Sequence, residues 1–378
     1  MTDMEALEEF LRKEFYWLHR HPEVSFEEVE TTAHLRSLLV ESGVRVLDLP
    51  LKTGVVAEVG AGRPVMALRA DIDALPITEQ TGLPYQSEKT GVMHACGHDF
   101  HMASVLGATM LLREQKNLPG TVRLIFQPAE EAPGGAKLIM NTGVLDDVQA
   151  IFGLHCSPLL PVGTLGIREG AVTASVDRFL ICFRGKGTHA AHPERGIDPI
   201  PVAAAFIQAA QTIVTRNIEP SEARLVSITH VEAGNTWNVI PDEALVEGTT
   251  RCLSAETRVL ICRRIHELAE QIAAAYGAEA VTDWYEGPPA TDNTQKWTAL
   301  ARRIAHEQNL AVEEAPTSLA GEDFAFYQER LPGCFVLTGT GASAANHNAE
   351  FRVDPCALLP TASYLAALVR ASFAEYKD

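Results

Sequence analysis

Val65 to Asp73 read VMALRADID. The run is almost continuously apolar and closes on two carboxylates, Asp71 and Asp73. It reads as a strand covered on both faces, which delivers polar groups at its C-terminal end. TVRLIFQPAEE (121–131) repeats the pattern and closes on Glu130 and Glu131. AIFGLHC (150–156) ends with a histidine, His155, and CFVLTGTG (334–341) is another buried strand. VVAEVG (55–60) adds one more. Helical patterns separate them: Met4 to Ser42 with a break at His21-Pro22, His101 to Glu114, KLIMNTG up to Gly143, TQKWTALARRIAHEQN, and the turns from Pro360 onward. Alternating apolar strands and helices predict an α/β layer with a largely parallel central sheet.

The pattern changes after residue 176. DRFLICFRGKG (177–187) is a strand, and PIPVAAAFIQAAQTIVTR (199–216) a helix with proline at its start. RLVSITHVEAG (224–234) and EALVEGTTRCL (243–253) are strands. AETRVLICRRIHELAEQIAAAYG (255–277) is a helix closed by Gly277, and AEAVTDWYEG (278–287) a last strand. The order β-α-β-β-α-β is the ferredoxin-like split motif. The expected organisation is one domain over 1–175 and 288–378, interrupted by a ferredoxin-like α+β domain over 176–287.

The 378 residues are 46% hydrophobic and 21% charged, the composition of a soluble globular chain. A formal net charge of −18 argues against nucleic acid, which needs clustered Lys and Arg. No run of about 18 apolar residues is apparent, so no membrane span is expected. The acidic start MTDMEALEEFLRKEF lacks the basic and apolar regions of a signal peptide, and a cytoplasmic location is expected. Seven scattered cysteines do not form a disulfide framework.

One cysteine has telling neighbours. Residues 94–101 read HACGHDFH, which packs three histidines, Cys96 and Asp99 into a loop before a helix. Candidate ligands also stand at the strand ends: Asp71 and Asp73, Glu130 and Glu131, and His155. His347 lies in NHNAEF (346–351), after the last buried strand. Parallel sheets build sites along that edge. Taken singly, each of these residues is ordinary: a surface histidine, a solvated Glu pair, a buried thiol. Their convergence from five segments is what argues for metal. Mixed N, O and S donors suit zinc and other first-row ions. They outnumber the positions of one tetrahedral ion, and two ions about 3.5–4 Å apart with a bridging ligand would use them. The Cys96 sulfur is one candidate bridge. Glu131 as ligand and Glu130 as base divides the work of the adjacent pair.

MHACGHDFHMASVLGA (93–108), FQPAEEAPGGA (126–136) and GLHCSP (153–158) resemble the aminoacylase/carboxypeptidase family of two-metal hydrolases. The amidohydrolase branch, with hippurate hydrolase and the indoleacetyl-amino-acid hydrolases, is the nearer match. LHRHPEVSFEE (18–28), LRADIDALPI (68–77), GKGTHAAHP (185–193), NVIPD (238–242), AGEDFAFY (320–327) and HNAEFRVD (347–354) extend the resemblance over nearly the whole chain. It implies an aminopeptidase-like catalytic domain with two divalent ions (Zn, Mn, Co or Ni) and an inserted lid that dimerises. By matched motif the metal ligands are Cys96, His98, Glu131, His155 and His347, with Cys96 where other branches carry a bridging aspartate. Glu130 matches the general base. Asp73 and Asp99 match groups that orient the ligating imidazoles, and His101 has no ligand role. His189 matches a histidine that reaches the partner subunit's site and polarises the scissile carbonyl. Asn238 and Arg251 match substrate-holding lid positions, although TTRCL departs there from the usual Thr-Phe ending. Phe100 and Met102 replace smaller or polar residues, either to line the pocket or to pack the helix.

The implied reaction is hydrolysis of an N-acyl amino acid to a carboxylic acid and a free amino acid. A dipeptidase or carboxypeptidase on the same scaffold is the first alternative, and an inactive metal-binding protein the second. The acyl group is left open.

Overall fold

The structure, a computed structural model, describes residues 3–115 and 117–376. The chain forms two compact units. The first runs to Gly170 and resumes over Asp292–Pro316 and from Asp323 onward. The second comprises Ala171–Thr291 and a short return, Thr317–Glu322, which no change of composition marks.

The first unit is built on an eight-stranded sheet. Its centre is four parallel strands in the order Thr121–Gln127, Val65–Asp71, Val148–Ser157, Gly333–Gly339. Antiparallel neighbours flank this centre: Val55–Gly60 beside Thr121–Gln127, and Thr164–Ile167 beside Gly333–Gly339. Side chains on a strand alternate between faces, and both faces here are apolar. Met66, Leu68 and Ala70 join one core with Val122, Leu124 and Phe126, while Val65, Ala67 and Ile125 join another. That double burial is why the central strands read as continuous apolar runs. The first core is closed by helices Asp3–Arg20, His98–Arg113 and Leu358–Glu375, and the second by Gly135–Met140 and Phe324–Gln328.

The segment Pro355–Glu375 is long and apolar enough by length and composition to cross a membrane, although Pro360, Thr361, Ser363, Arg370 and Ser372 interrupt its apolar residues. Its residues Leu358, Leu365, Leu368, Val369 and Phe373 are instead buried in the core. One expected boundary shifts. The helix expected from His101 begins at His98. Gly97 precedes it at φ +85, a left-handed conformation that costs glycine little. A Cβ at that position would also lie 2.4 Å from the Cys156 sulfur.

The second unit carries a four-stranded antiparallel sheet in the order Arg224–Ala233, Glu243–Cys252, Ser175–Arg184, Glu279–Glu286. Helices Pro199–Arg216 and Ala255–Ala275 pack with it around Phe179, Ile181, Phe183, Phe206 and Ile265. Their N-termini are capped by the side chains of Asp198 and Ser254. This is the ferredoxin-like arrangement.

Candidate metal centre

The geometry starts from backbone. After Gln127 the chain leaves its strand, and Ala129 adopts φ +52, a strained value for a residue with a Cβ. Buried carboxylates hold that turn. The Ala129 N–H donates to Glu28 Oε1 at 2.8 Å. The Glu130 and Glu131 N–H groups donate to the two oxygens of Asp73, each at 3.0 Å. Asp73 thus fixes the backbone beneath both glutamates, and Ser25 Oγ donates to it at 2.7 Å.

Asp73 also fixes an imidazole. His98 Nδ1 donates to the Asp73 carbonyl at 2.8 Å, so the neutral ring presents its lone pair on Nε2. His155 Nδ1 donates likewise to the Cys156 carbonyl at 2.8 Å, and its Nε2 lies 3.3 Å from Cys96 Sγ. Backbone carbonyls therefore set the same ring nitrogen inward in both cases. His347 sits at φ +66, held by its N–H to the Ala95 carbonyl at 2.8 Å. Its Nε2 lies 3.1 Å from Glu131 Oε1.

These side chains form two overlapping triads. Potential ligand atoms of Cys96, His98 and His155 lie within 4.8 Å of one another, and so do those of Cys96, Glu131 and His347. Cys96 belongs to both. Glu130 stands beside them, with Oε2 4.0 Å from His98 Nε2 and Oε1 3.5 Å from the Asp323 N–H.

The donor set fits divalent cations. His98 Nε2 is buried without a hydrogen-bond partner, facing Asp71 at 3.8 Å and Glu131 at 3.9 Å. Burial opposes charge on this ring, yet Asp71, Asp73 and Cys96 hold its pKa well above the ordinary value. The pocket thus demands positive charge at that nitrogen, and a dication meets the demand. Burial pushes the Cys96 thiol well up, against the pull of His98. A thiolate there needs a compensating cation. At Glu131, burial favours the neutral acid, but His347 and His98 keep the carboxylate below its usual range.

An outer network supports this set. Asp71, a candidate ligand by sequence, accepts from Arg69 Nη1 and pairs with His101 Nδ1, each at 2.6 Å. The Cys156 N–H donates to His101 Nε2 at 2.8 Å, so His101 has no nitrogen left for an ion. Burial lowers its pKa to about 4 despite Asp71, which keeps the ring neutral. Asp99 departs from the role its motif implies. The imidazole it pairs with is His19, at 2.6 Å, and not one of the five expected ligands. His19, which drew no functional reading from sequence, is buried and also meets Glu79 at 3.2 Å. Phe100 and Met102 are fully buried in the core and pack the helix. Arg69, Glu28 and Asp323 were missed altogether. An arginine inside the apolar run VMALRAD was the available signal for the first.

In the second unit, His189 lies on a short ribbon where Thr188–His189 pairs with Val239–Ile240. The Ala191 N–H donates to His189 Nδ1 at 3.0 Å, so the neutral ring carries its proton on Nε2, as a donor. The Asn238 carbonyl accepts from the Ala190 N–H at 3.0 Å, which brings Asn238 beside His189. Arg251 lies on Glu243–Cys252 and donates to Thr249 Oγ1 and the Thr250 carbonyl. Burial lowers its pKa, with Asp177 opposing.

Residues 67–371 match the model of peptidase family M20/M25/M40. The chain is 49% identical over 356 residues to N-acetylcysteine deacetylase of Bacillus subtilis, covering 93% of both chains. It is 40% identical over 366 residues to IAA-amino acid hydrolase ILR1-like 5 of Arabidopsis thaliana, covering 93% of this chain and 84% of the other. The crystal structure of the Bacillus subtilis YXEP protein, a dinuclear metal-binding peptidase from the M20 family, is 45% identical. It superposes with a TM-score of 0.90 over 98% of this chain and 100% of that one.

Proposed function

The chain belongs to peptidase family M20/M25/M40, and from that premise we propose that it hydrolyses the amide bond of N-acyl amino acids. The observation that carries this reading is the pair of triads sharing Cys96, with Glu130 at their side. Cys96, His98 and His155 would hold one divalent ion, and Cys96, Glu131 and His347 a second. When bound, such ions polarise a carbonyl oxygen and lower the pKa of water toward neutrality. Zn, Mn, Co and Ni all suit these donors.

The chain's own groups do the proton work. Glu130 Oε2 takes a proton from the attacking water and returns it to the departing amine nitrogen. Asp73 holds the peptide under Glu130 while its carbonyl fixes His98, so base and ligand share one support. His189 donates from Nε2 to the developing oxyanion, from a second subunit of a homodimer. Asn238 belongs to the same ribbon, and Arg251 is a guanidinium fork for a substrate carboxylate. In this reading, residues 1–175 and 288–378 are the catalytic domain and 176–287 the lid and dimerisation domain, in a cytoplasmic enzyme.

A panel of N-acetyl, N-benzoyl and N-indoleacetyl amino acids, run beside dipeptides, tests the proposal. Turnover of the acyl amino acids that stops with a chelator and returns with added ion supports it. Turnover confined to dipeptides would replace it with the peptidase reading.

A further inference from the structure

Arg69 is fully buried, in the middle of the strand that ends at Asp71. Its guanidinium reaches Asp71, Asp323 and Gln127 among its partners. Nη1 donates to Asp71 Oδ2 and Nη2 to Asp323 Oδ1, each at 2.6 Å, while Nε donates to Gln127 Oε1 at 2.9 Å. Each branch leads to the metal centre. Asp323 is locked further by Gln127 Nε2 at 2.7 Å and the Ala136 N–H at 2.9 Å. Its own N–H points at Glu130 Oε1, at 3.5 Å, leaving Oε2 on the His98 side. On the other branch, Asp71 holds His101, and His101 accepts the Cys156 N–H. The carbonyl of Cys156 is the group that orients His155.

We propose that Arg69 is a positioning residue for both the Glu130 base and the His155 ligand, acting through Asp323 on one side and through Asp71 and His101 on the other. The inference rests on the function proposed above for Glu130. A buried guanidinium that bonds through Nε, Nη1 and Nη2 has a fixed direction, because its rigid planar fork sets the angles between those donors. Lysine keeps the charge and loses the fork. An arginine with only a structural role would tolerate that exchange once the chain had folded.

The test compares wild type with Arg69→Lys, Arg69→Ala and Asp323→Asn. Ion content, kcat and KM on an N-acetyl amino acid, and crystal structures are measured for each. The expected result is a fall in kcat of about 100-fold in Arg69→Ala and about 10-fold in Arg69→Lys. KM stays within about threefold and two ions per chain are retained. Guanidinium ion at tens of millimolar restores part of the kcat of Arg69→Ala and none of that of Glu130→Gln. The structural arm needs no substrate: in Arg69→Lys the Glu130 carboxylate leaves the Asp323 N–H and the His155 ring turns. Both groups unmoved in that variant, or wild-type kcat in Arg69→Lys and Asp323→Asn, overturns the proposal. If wild type turns over none of the acyl amino acids, the proposed function fails, while the crystal structures still decide whether Arg69 positions the two groups. Should Arg69→Ala not fold, Arg69→Lys and Asp323→Asn decide the matter by the same criteria.

Discussion

Cys96 Sγ lies 3.3 Å from His155 Nε2, and the same sulfur completes a second triad with Glu131 and His347. One thiol thus serves two clusters, an arrangement suited to a ligand shared between two cations.

Glu130→Gln keeps the size of the side chain and removes its basicity. The predicted loss in kcat is about 10²–10⁴-fold, with KM little changed and ion content kept, since Glu130 is assigned to neither triad. Steady-state kinetics on an N-acetyl amino acid, with metal analysis of the same sample, checks this. Undiminished turnover would remove Glu130 from the role of base.

His189→Ala is expected to cost about 10²–10³ in turnover, the usual effect of removing an oxyanion donor. If the donor comes from a second subunit, mixing His189→Ala with Glu130→Gln after dissociation and reassembly restores activity. Each mixed dimer would then hold one site with both groups intact. No recovery on mixing, with subunit exchange verified, would place His189 in the site of its own chain or outside it.

Gly97→Ala puts a methyl where the Cys156 sulfur lies 2.4 Å away, on backbone at φ +85. Strain and overlap together predict destabilisation of about 1–3 kcal/mol, with a loss of metal affinity as the Cys96 and His98 backbone shifts. Urea unfolding and metal titration read both. A variant with unchanged stability would mean that the loop relaxes freely.

His19 gives a pH-dependent signature. Burial lowers its pKa, but Asp99 and Glu79 overrule burial and raise it from 6.5 to about 9. A histidine whose folded pKa is raised contributes stability in full below its unfolded value, and loses it as pH rises through the folded one. The stability gap between wild type and His19→Gln, measured in excess chelator, should be widest near pH 6 and shrink between about pH 6.5 and 9.5. A gap that does not change with pH would count against a charged His19.

The central strands were readable because burial on both faces erases the polar alternation that marks a one-sided sheet. Cys96, His98, Glu131, His155 and His347 stood out by chemical type and by their places at strand ends or in the loops before a helix and after the last buried strand. The partner of Asp99 did not, since His19 is 80 residues away and helical periodicity carries no sign of an ion pair. Asp71 looked like a ligand for the same reason as Asp73, and only the position of Arg69 beside it reveals its different engagement. Ala129 gave no signal, because nothing in its chemistry announces a left-handed backbone. The final helix was legible as a helix, although a helix that fills a large core and one that crosses a bilayer have similar apolar length.

Counting ions on the purified chain bears most sharply on the shared thiol. Wild type saturated with Zn or Mn and then desalted should retain two equivalents per chain. Cys96→Ala should retain no more than one, and Cys96→Asp, which restores an anionic bridge, should return toward two. A single equivalent in wild type, or two retained by Cys96→Ala, would contradict a centre built around Cys96.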